Sequence, residues 1–429
     1  MMRIADALAE LNGRQPESMP EPDLSRITAV AELLDDPQLT YPTIHVTGTN
    51  GKTTTARLIS HLACAHGLTA GLYTSPHLLS VTERLQLCAD PITEFEFGQE
   101  YEHLLPVLQA VDVRLGTRVT YFEALTALAF LWFADKPVSL GVFEVGMGGA
   151  WDATNLVAGD VAVLCPISLD HPELGDTVVQ VATEKAGIIK PGKVAVVREQ
   201  APEALDVIEA RSREYEVRLL LEGRDFELTD RQQGVGGQVI GVRTPLATYD
   251  DLLLKIHGPY AGRNAAAAIV ALEVFLEQPL TDDVVRDALA TATSPGRLEV
   301  VDRRPLIVLD GAHNPAAAAA LVEALSETFT WERLHLVVAG FTNHDIATVI
   351  ATLAPLTDHA YAAANASPRA RPAEEVARYL EANGVPATTS AGVPDALAAA
   401  RAAAGPGDLV LVTGSLYTVA DARRALEDS

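Results

Sequence analysis

Short apolar runs alternate with helical patterns along the first half of the chain. After a helical lead-in of about forty residues, the run at 41–47 (YPTIHVT) is β-branched, and a glycine-rich turn follows it. Residues 53–66 then carry apolar side chains at helical spacing. Strand, turn and helix form the first unit of a parallel α/β sheet, and runs that are apolar throughout suit a sheet covered on both faces. Further strands are predicted at 140–145, 161–167 and 194–197, and helices at 122–133 and 178–186.

The pattern changes between 226 and 256, where Gly-Val-Gly-Gly and short alternating segments indicate an antiparallel addition. An alanine-rich helix is predicted over 264–275, and turn residues follow at 293–296. We predict two α/β domains, an N-terminal one over 1–295 and a smaller C-terminal one over 296–429. The strands predicted in the second domain are 306–310, 334–339 and 409–413.

The composition of the chain argues against several classes of function. The 429 residues contain 32 Lys and Arg against 57 Asp and Glu, a formal net charge of −25. Such a surface repels nucleic acid and anionic membranes, so we expect neither as a partner. The chain is 48% apolar and 21% charged, which is typical of a globular protein. The richest apolar stretch, 125–134, is shorter than the about 20 residues that a membrane helix needs.

Cysteine usage and the N-terminus bear on location. Cys64, Cys88 and Cys165 are too few for a disulfide scaffold and match no zinc spacing. A reducing compartment is the simplest interpretation. The first residues lack the apolar core of an export signal. We therefore expect a cytoplasmic protein.

The sharpest local motif is the segment 47–53, Thr-Gly-Thr-Asn-Gly-Lys-Thr, which we call the phosphate loop. Glycines let the backbone approach phosphate closely, and N–H groups at a helix start attract anions. Lys52 would contact the β and γ phosphates of a nucleotide, and Thr53 would offer its hydroxyl to Mg²⁺. Val46 stands where the general pattern has its first glycine. An ordinary glycine-rich turn is the alternative interpretation.

Other polar residues follow predicted strands. Glu144 ends one strand, His171 follows another, and Ser75 lies in a further loop. Ligands bind at the carboxyl ends of strands in open α/β sheets, so these side chains are candidates for one Mg²⁺ site with the phosphate loop. The alternatives are a capping or salt-bridging role for Glu144 and a hydrogen-bonded loop role for His171.

Taken together, the motifs resemble the bacterial folylpolyglutamate synthase/dihydrofolate synthase family, a branch of the Mur ligase superfamily. Ten segments between residues 45 and 417 match in order, so the resemblance covers nearly the whole chain. The matching segments are HVTGTNGKTT, YTSPHL with ERL, TYFEALTALAF, EVGMGGAWDATN, SLDH, EKAGIIKPG, GRNAAAA, SPGRLEVV, LDGAHNPAAA and VTGSLY. The fold it implies is a P-loop-type parallel-sheet ATPase domain of Mur ligase type with a smaller Rossmann-like α/β domain.

The resemblance implies an ATP-dependent amide ligase. A substrate carboxylate takes the γ-phosphate of ATP to form an acyl phosphate, and the amine of L-glutamate then displaces phosphate. The implied ligands are ATP, Mg²⁺, L-glutamate and a pterin or folate acceptor. Such proteins tend to be monomers with the active site in the cleft between the two domains.

The resemblance also assigns roles by position. In the phosphate loop, the matching residues are Gly48, Thr49, Asn50, Gly51, Lys52 and Thr53. The implied Mg²⁺ ligands are Thr53, Ser75, Glu144 and His171, and the implied catalytic residues are Lys52, His171, Lys185 and His313. Lys185 matches a lysine that is carbamylated in these ligases, although a plain lysine in an ion pair is the alternative. Other ATP contacts match Asn264, Arg297 and Asp310, and acceptor or glutamate contacts match Arg84, Thr120, Phe122, Asp152, Asn155 and Ser415.

Several of these assignments have a structural alternative. Thr120 with Glu123 forms the pattern of a helix capping box, and Asp310 is placed to cap a following helix. Phe122 is a candidate core aromatic residue, and Arg297 a candidate bridge between domains.

The chain also departs from the family pattern. Ala150 replaces an arginine, the loop 172–177 is one residue short, and Asn343-His344-Asp345 replaces Asp-Lys-Asp. The phosphate loop continues as Lys-Thr-Thr-Thr, a form more typical of the peptidoglycan ligases. These differences leave open a Mur-type ligase that acts on a non-folate acid. A nucleotide-binding protein without catalysis and a P-loop kinase or GTPase are further alternatives.

Overall fold

The computed structural model describes residues 2–16, 23–169, 172–234 and 236–427. Contacts divide the chain into two units, and the division is not a single cut in the sequence. The first unit comprises Met1–Asp230, Ile240–Leu252 and Arg263–Ala292, and the second comprises Arg231–Val239, Leu253–Gly262 and Thr293–Ser429. Two segments that precede the predicted boundary at 295 thus belong to the second unit.

Helices and strands alternate along the described residues much as the apolar pattern predicts. The helices are α1 (Ile4–Asn12), α2 (Ser25–Leu33), α3 (Lys52–Ala65), α4 (Glu94–Leu115), α5 (Tyr121–Asp135), α6 (Val178–Lys185), α7 (Pro202–Glu214), α8 (Pro259–Leu276), α9 (Asp282–Thr291), α10 (Pro315–Thr328), α11 (Ile346–Leu353), α12 (Ala373–Ala382), α13 (Val393–Ala403) and α14 (Leu416–Glu427). The strands are β1 (Thr43–Thr47), β2 (Ala70–Tyr73), β3 (Leu85–Leu87), β4 (Asp90–Pro91), β5 (Leu140–Glu144), β6 (Val161–Leu164), β7 (Val194–Val197), β8 (Arg218–Leu221), β9 (Glu227–Gly234), β10 (Gly237–Arg243), β11 (Thr248–Leu254), β12 (Glu299–Arg303), β13 (Leu306–Leu309), β14 (Leu334–Val338), β15 (His359–Ala362), β16 (Ala387–Thr389) and β17 (Leu409–Thr413). In this described part, every helix is too short or too polar to cross a lipid bilayer.

The sheet of the first unit runs in the order β4-β3-β2-β5-β1-β6-β7-β8. β1 lies in its middle and pairs in parallel with β5 and β6, and all five residues of β1 are buried. This burial explains the absence of polar alternation, because helices cover both faces of such a sheet. β6 ends at Leu164, shortly before Pro166, which has no N–H to donate, and is therefore shorter than the predicted 161–167.

The sheet of the second unit runs in the order β12-β13-β17-β14-β15-β16. Its strands pair in parallel except β12 with β13, so one edge is antiparallel. The predicted strands at 306–310, 334–339 and 409–413 are the adjacent β13, β14 and β17. Separately, β11-β10-β9 form a three-stranded sheet in the segment where the sequence pattern changes.

The cysteines differ from expectation. Cys64, near the end of α3, and Cys88, directly after β3, form a disulfide. The backbone N–H of Cys88 donates to the carbonyl of Ala70 at the start of β2, which brings the two cysteines together. Their separation of 24 residues gives no hint of this pairing, because it depends on the β2–β3 register. Cys165 is a buried free thiol.

A buried ion pair fixes part of the helical lead-in. Arg26 of α2 lies 2.9 Å from Glu123 of α5, and both side chains are almost fully buried. Glu123 also accepts from the backbone N–H of Thr120, whose hydroxyl accepts from the backbone N–H of Glu123. The predicted capping box is therefore present at the start of α5.

His45, in the centre of β1, makes the free energy of unfolding of the chain depend on pH. Burial, with a smaller contribution from the charge of Lys190, lowers the pKa of His45 to about 3 from an ordinary value of 6.5. In the folded state the imidazole of His45 therefore stays neutral at pH values where the same imidazole in the unfolded chain, below about pH 6.5, is protonated. Stability from this residue is present above that pH and is lost as the pH falls toward 3.

We expect His45→Gln to flatten this dependence. The free energy of unfolding, measured by urea denaturation between pH 6 and pH 4, should fall less steeply than in the wild type, by up to about 1.4 kcal/mol per pH unit. His103→Gln, at an exposed position on α4, is the control and should leave the slope unchanged. Equal slopes for His45→Gln and wild type would contradict this account.

Candidate functional site

The phosphate loop connects β1 to α3 at the carboxyl edge of the first sheet. Gly48 and Gly51 have φ of +144° and +92°, a region that favours glycine. A Cβ on Gly48 would lie 2.6 Å from Cβ of Cys165, so only glycine fits there. Nζ of Lys52 lies 2.8 Å from the carbonyl oxygen of Gly48 and 3.2 Å from that of Thr49. The cation is thus held within a loop whose backbone is shaped for close approach.

Three of the predicted metal ligands meet beside this loop. The hydroxyl of Thr53, in the first turn of α3, donates to Oε1 of Glu144 at 2.6 Å. The backbone N–H of Ser75 lies 3.2 Å from Oε2 of the same carboxylate. β2 and β5 are neighbours in parallel, which brings Ser75 to the end of the strand that carries Glu144. The three residues offer only oxygen ligands, which suit Mg²⁺.

The fourth predicted ligand, His171, lies outside the described residues. The hydroxyl of Thr49, in the phosphate loop, bonds both the carbonyl oxygen and the N–H of Ser168 at 3.0 Å. Within 2–16, 23–169, 172–234 and 236–427, no group of three or more His, Cys, Asp or Glu side chains has the geometry of a metal site. The oxygen cluster therefore consists of one carboxylate and two hydroxyl-bearing residues.

Lys185 lies at the same edge. Its side chain is buried, and Nζ donates to the carbonyl oxygen of Gly48 at 2.9 Å. The adjacent Glu184 holds the loop after β5, because its backbone carbonyl and its carboxylate accept from the N–H groups of Ala150 and Trp151. Burial raises the pKa of Glu184. The side chain of Ala150 packs on Gly187, so this small residue sits in a closely packed turn.

Asn264, a predicted ATP contact, lies in α8 beside the phosphate loop. A Cβ on Gly51 would be 3.0 Å from Oδ1 of Asn264. The same oxygen accepts from Arg198, a buried residue that directly follows β7. Sequence reasoning missed Arg198, and its position at the carboxyl end of a parallel strand is the signal that would have identified it.

The predicted acceptor residues fall into two groups. Arg84 is buried, donates to Nδ1 of His77 at 3.0 Å and lies over the ring of Tyr121. Phe122 is partly buried, and its ring packs against Gly146 in the loop after β5. Arg84 and Phe122 are thus near neighbours through Tyr121, in the part of the sheet edge that β2 and β5 share.

The side chains of the second group form hydrogen bonds to other residues of the chain. Asp152 accepts from the backbone N–H of Met147 at 2.9 Å and from the hydroxyl of Thr154 at 2.5 Å. Full burial raises the pKa of Asp152 to about 6, against these hydrogen bonds. Asn155 donates to the carbonyl of Ala150 and accepts from Nζ of Lys190. With Thr120, which caps α5, these residues shape the loops around the site.

In the second unit, the predicted residues cluster at the carboxyl ends of β13 and β17. Asp310 uses both carboxylate oxygens to accept from the N–H groups of Leu298 and Ala312, each at 2.8 Å. Burial raises the pKa of Asp310, and the charge of Arg297 opposes that rise. Asp310 therefore ties the segment before β12 to the loop after β13, where Gly311 has the guanidinium of Arg297 against it.

His313 and Ser415 lie in the same group of loops. Nδ1 of His313 is 2.9 Å from the carbonyl oxygen of Gly311, and its ring stacks on His344 with centroids 4.9 Å apart. His344 is the residue that replaces lysine in the family pattern, so the departure places an aromatic ring on a predicted catalytic residue. Ser415 accepts from Asn365 and from the N–H of Thr418 near the start of α14.

The glycine-rich loop, Lys52, the oxygen cluster and buried Lys185 thus lie together at one edge of the first sheet, an arrangement suited to an anionic ligand. Sequence comparison supports this: residues 46–272 match the Mur ligase middle domain, and residues 296–416 match the Mur ligase glutamate ligase domain. The fold and the two matched domains are therefore those of an ATP-dependent ligase of the Mur type.

Individual relatives identify a narrower family within the Mur ligases. A dihydrofolate synthase/folylpolyglutamate synthase of Mycobacterium tuberculosis is 39% identical over 385 residues, which cover 86% of this chain and 79% of that protein. A folylpolyglutamate synthase structure from the same organism, complexed with ADP, has a TM-score of 0.94 at 36% identity and covers 98% of this chain and 97% of that one. The Escherichia coli FolC structure with DHPP and ADP has a TM-score of 0.89 at 30% identity and covers 99% and 98%. The chain belongs to the dihydrofolate synthase/folylpolyglutamate synthase family.

Proposed function

We propose that this chain uses ATP to add L-glutamate to dihydropteroate, to a reduced folate, or to both. One observation carries the proposal: the phosphate loop with Lys52, the cluster of Thr53, Ser75 and Glu144, and buried Lys185 share one edge of the first sheet. The names of the relatives, and the DHPP and ADP bound to the Escherichia coli FolC, support the choice of acceptor and nucleotide.

The reaction takes two steps. A carboxylate oxygen of the acceptor attacks the γ-phosphorus of ATP, the bond to ADP breaks, and an acyl phosphate forms. The glutamate amine then attacks the acyl carbon, loses a proton, and expels phosphate as the amide forms. Phosphoryl transfer depends mainly on positioning and charge neutralisation. The phosphate loop positions the triphosphate, and Lys52 supplies a positive charge to it.

Mg²⁺ fits the oxygen cluster that Thr53, Ser75 and Glu144 form. When bound, the ion neutralises charge on the phosphate oxygens. The donor set supports this assignment, because a carboxylate and two hydroxyl-bearing residues are hard oxygen ligands. We assign His171 to the same site on the family resemblance alone.

We assign a carbamate to Lys185. The buried Nζ donates a hydrogen bond to the carbonyl oxygen of Gly48. A carbamate keeps one N–H, so it preserves that bond while it adds two oxygen ligands beside the phosphate loop. The burial of Lys185 beside the phosphate loop supports a role beyond a surface ion pair.

The remaining assignments rest on position. Arg84 and Phe122 serve the acceptor directly, whereas Thr120, Asp152 and Asn155 hold the loops around it. In the second unit, we assign Arg297 and Asp310 to ATP, His313 to catalysis and Ser415 to glutamate. We propose that these roles are shared between two domains, residues 1–295 and residues 296–429.

The deciding experiment measures ADP release by the purified chain with ATP, Mg²⁺ and L-glutamate. Three reactions are compared, containing dihydropteroate, tetrahydrofolate or no acceptor. We expect release to require an acceptor and glutamate together. Release with dihydropteroate alone would define a dihydrofolate synthase, and release with both acceptors a bifunctional enzyme. Turnover of neither pterin, with turnover of another carboxylic acid, would replace this proposal by a Mur-type ligase of different acceptor.

We also propose a monomeric protein of the cytoplasm that binds neither nucleic acid nor membranes. The Cys64–Cys88 disulfide argues against a cytoplasmic location, because cytoplasmic thiols are usually reduced. Mass spectrometry after alkylation in denaturant of freshly lysed cells tests this: three alkylated cysteines agree with a reducing compartment, and one alkylated cysteine argues against it.

A further inference from the structure

The amide of Asn264 is held at the phosphate loop in one orientation. The side chain is almost fully buried, and its amide lies against Gly51. Oδ1 accepts from Nη1 of Arg198. Among the residues that the structure describes, Nδ2 of Asn264 has no hydrogen-bond partner. A buried donor of this kind needs an acceptor, and the phosphates of a nucleotide at the loop are the chemically matched group.

Both polar atoms of the amide lie near the loop, since a Cβ on Gly51 would be 3.0 Å from Oδ1 and 3.3 Å from Nδ2, and Arg198 decides which of the two positions carries the oxygen. A guanidinium carries only donors, so the amide must turn its oxygen toward Arg198. The amide nitrogen is then directed away from Arg198. Without the guanidinium, the two ends of the amide are similar in shape, and nothing in this contact would favour the donor over the acceptor.

Arg198 is itself fixed by an acidic partner. Its Nε lies 2.9 Å from Oε2 of Glu222, and both side chains are nearly fully buried. Glu222 also accepts from the backbone N–H of Glu199 at 2.7 Å and from Nε of Arg263 at 2.6 Å. Burial alone would raise the pKa of Glu222, but Arg198 and these hydrogen bonds hold it below its ordinary value. An ionised Glu222 keeps the guanidinium in place.

We propose that Arg198 is a positioning residue for the nucleotide: with Glu222 behind it, it orients Asn264 so that Nδ2 donates to the phosphates of ADP or ATP. The inference rests on the nucleotide-binding part of the proposed function and does not depend on the acceptor. It predicts that the effect of Arg198 on nucleotide affinity is transmitted entirely through Asn264.

Calorimetric titration of the full chain with ADP and Mg²⁺, without acceptor or glutamate, tests this. We expect Arg198→Met and Asn264→Ala each to raise the Kd for ADP about tenfold. The double variant should bind no more weakly than Asn264→Ala alone. Arg198→Lys keeps a donor and should stay within about threefold of wild type. Because no acceptor is present, failure of the folate proposal leaves these results unaffected.

A matched control separates positioning from stability. Arg26→Met removes another buried arginine that pairs with a buried glutamate, and neither member of that pair is assigned to the nucleotide. It should lower the melting temperature and leave the Kd for ADP unchanged. If Arg198→Met does not fold, Arg198→Gln replaces it, since its amide can accept as well as donate and so frees Asn264 to flip. Additive effects in the double variant, or an unchanged Kd in a folded Arg198 variant, would overturn the proposal.

Discussion

Lys52→Ala should lower kcat/KM for ATP by about 10²- to 10³-fold and leave the fold intact. In the structure, Nζ of Lys52 bonds the carbonyl oxygens of Gly48 and Thr49, so the cation already lies within the phosphate loop. Its removal takes away charge that neutralises the transferring phosphoryl group. The measurement is steady-state ADP release, with the melting temperature recorded for the same preparation.

Lys193→Ala is the matched control for this variant. Lys193 is partly exposed, pairs with Asp160 at 2.7 Å, and precedes β7, so it lies at the opposite edge of the sheet from the phosphate loop. Its replacement should change kcat/KM by less than about twofold, because exposed ion pairs contribute little. Equal losses in the two variants would mean that Lys52 acts through general charge. A fall in melting temperature of more than about 5 °C for Lys52→Ala would assign that residue to the fold.

The parallel-sheet part of the site could be predicted from the sequence because each component follows its own strand. The phosphate loop, Ser75 and Glu144 come directly after β1, β2 and β5, and the carboxyl ends of adjacent parallel strands lie along one edge. Local pattern therefore locates these residues without knowledge of long-range contacts. The assignment of Lys185 depended on the family resemblance, since a lysine at a helix end has no local signature of this role.

Features that depend on contacts between distant segments could not be predicted. The Cys64–Cys88 disulfide follows from the β2–β3 register, and the bond from Arg198 to Asn264 joins residues 66 positions apart. Each oxygen of Asp310, a proposed ATP contact, already accepts one backbone N–H, from Leu298 or Ala312, and these two bonds could not be read from the sequence. Sequence gives the residue type at such a position, whereas burial and register determine which atoms remain available to a ligand.

Replacement of Lys185 by alanine should reduce turnover by about 10²-fold or more, and short carboxylates should restore part of it. The carbamate proposal predicts both results. A neutral amine attacks carbon dioxide, a C–N bond forms and one proton leaves, so the product is a carboxylate-like group on a nitrogen that still donates to Gly48. Acetate or formate added to Lys185→Ala can occupy the vacated space with similar oxygen atoms. The measurement is ADP release as a function of added carboxylate.

Two variants decide between a carbamate and a simple cation at Lys185. Lys185→Arg keeps a positive charge that cannot form the carbamate, so it should be as inactive as Lys185→Ala; full activity in this variant would mean that the cation alone is required. Lys52→Ala, tested at the same acetate concentrations, should show no recovery, because a carboxylate cannot replace an ammonium group next to phosphate. Recovery in both alanine variants would indicate a general salt effect, whereas recovery confined to Lys185→Ala assigns the lost function to two oxygen atoms beside the phosphate loop.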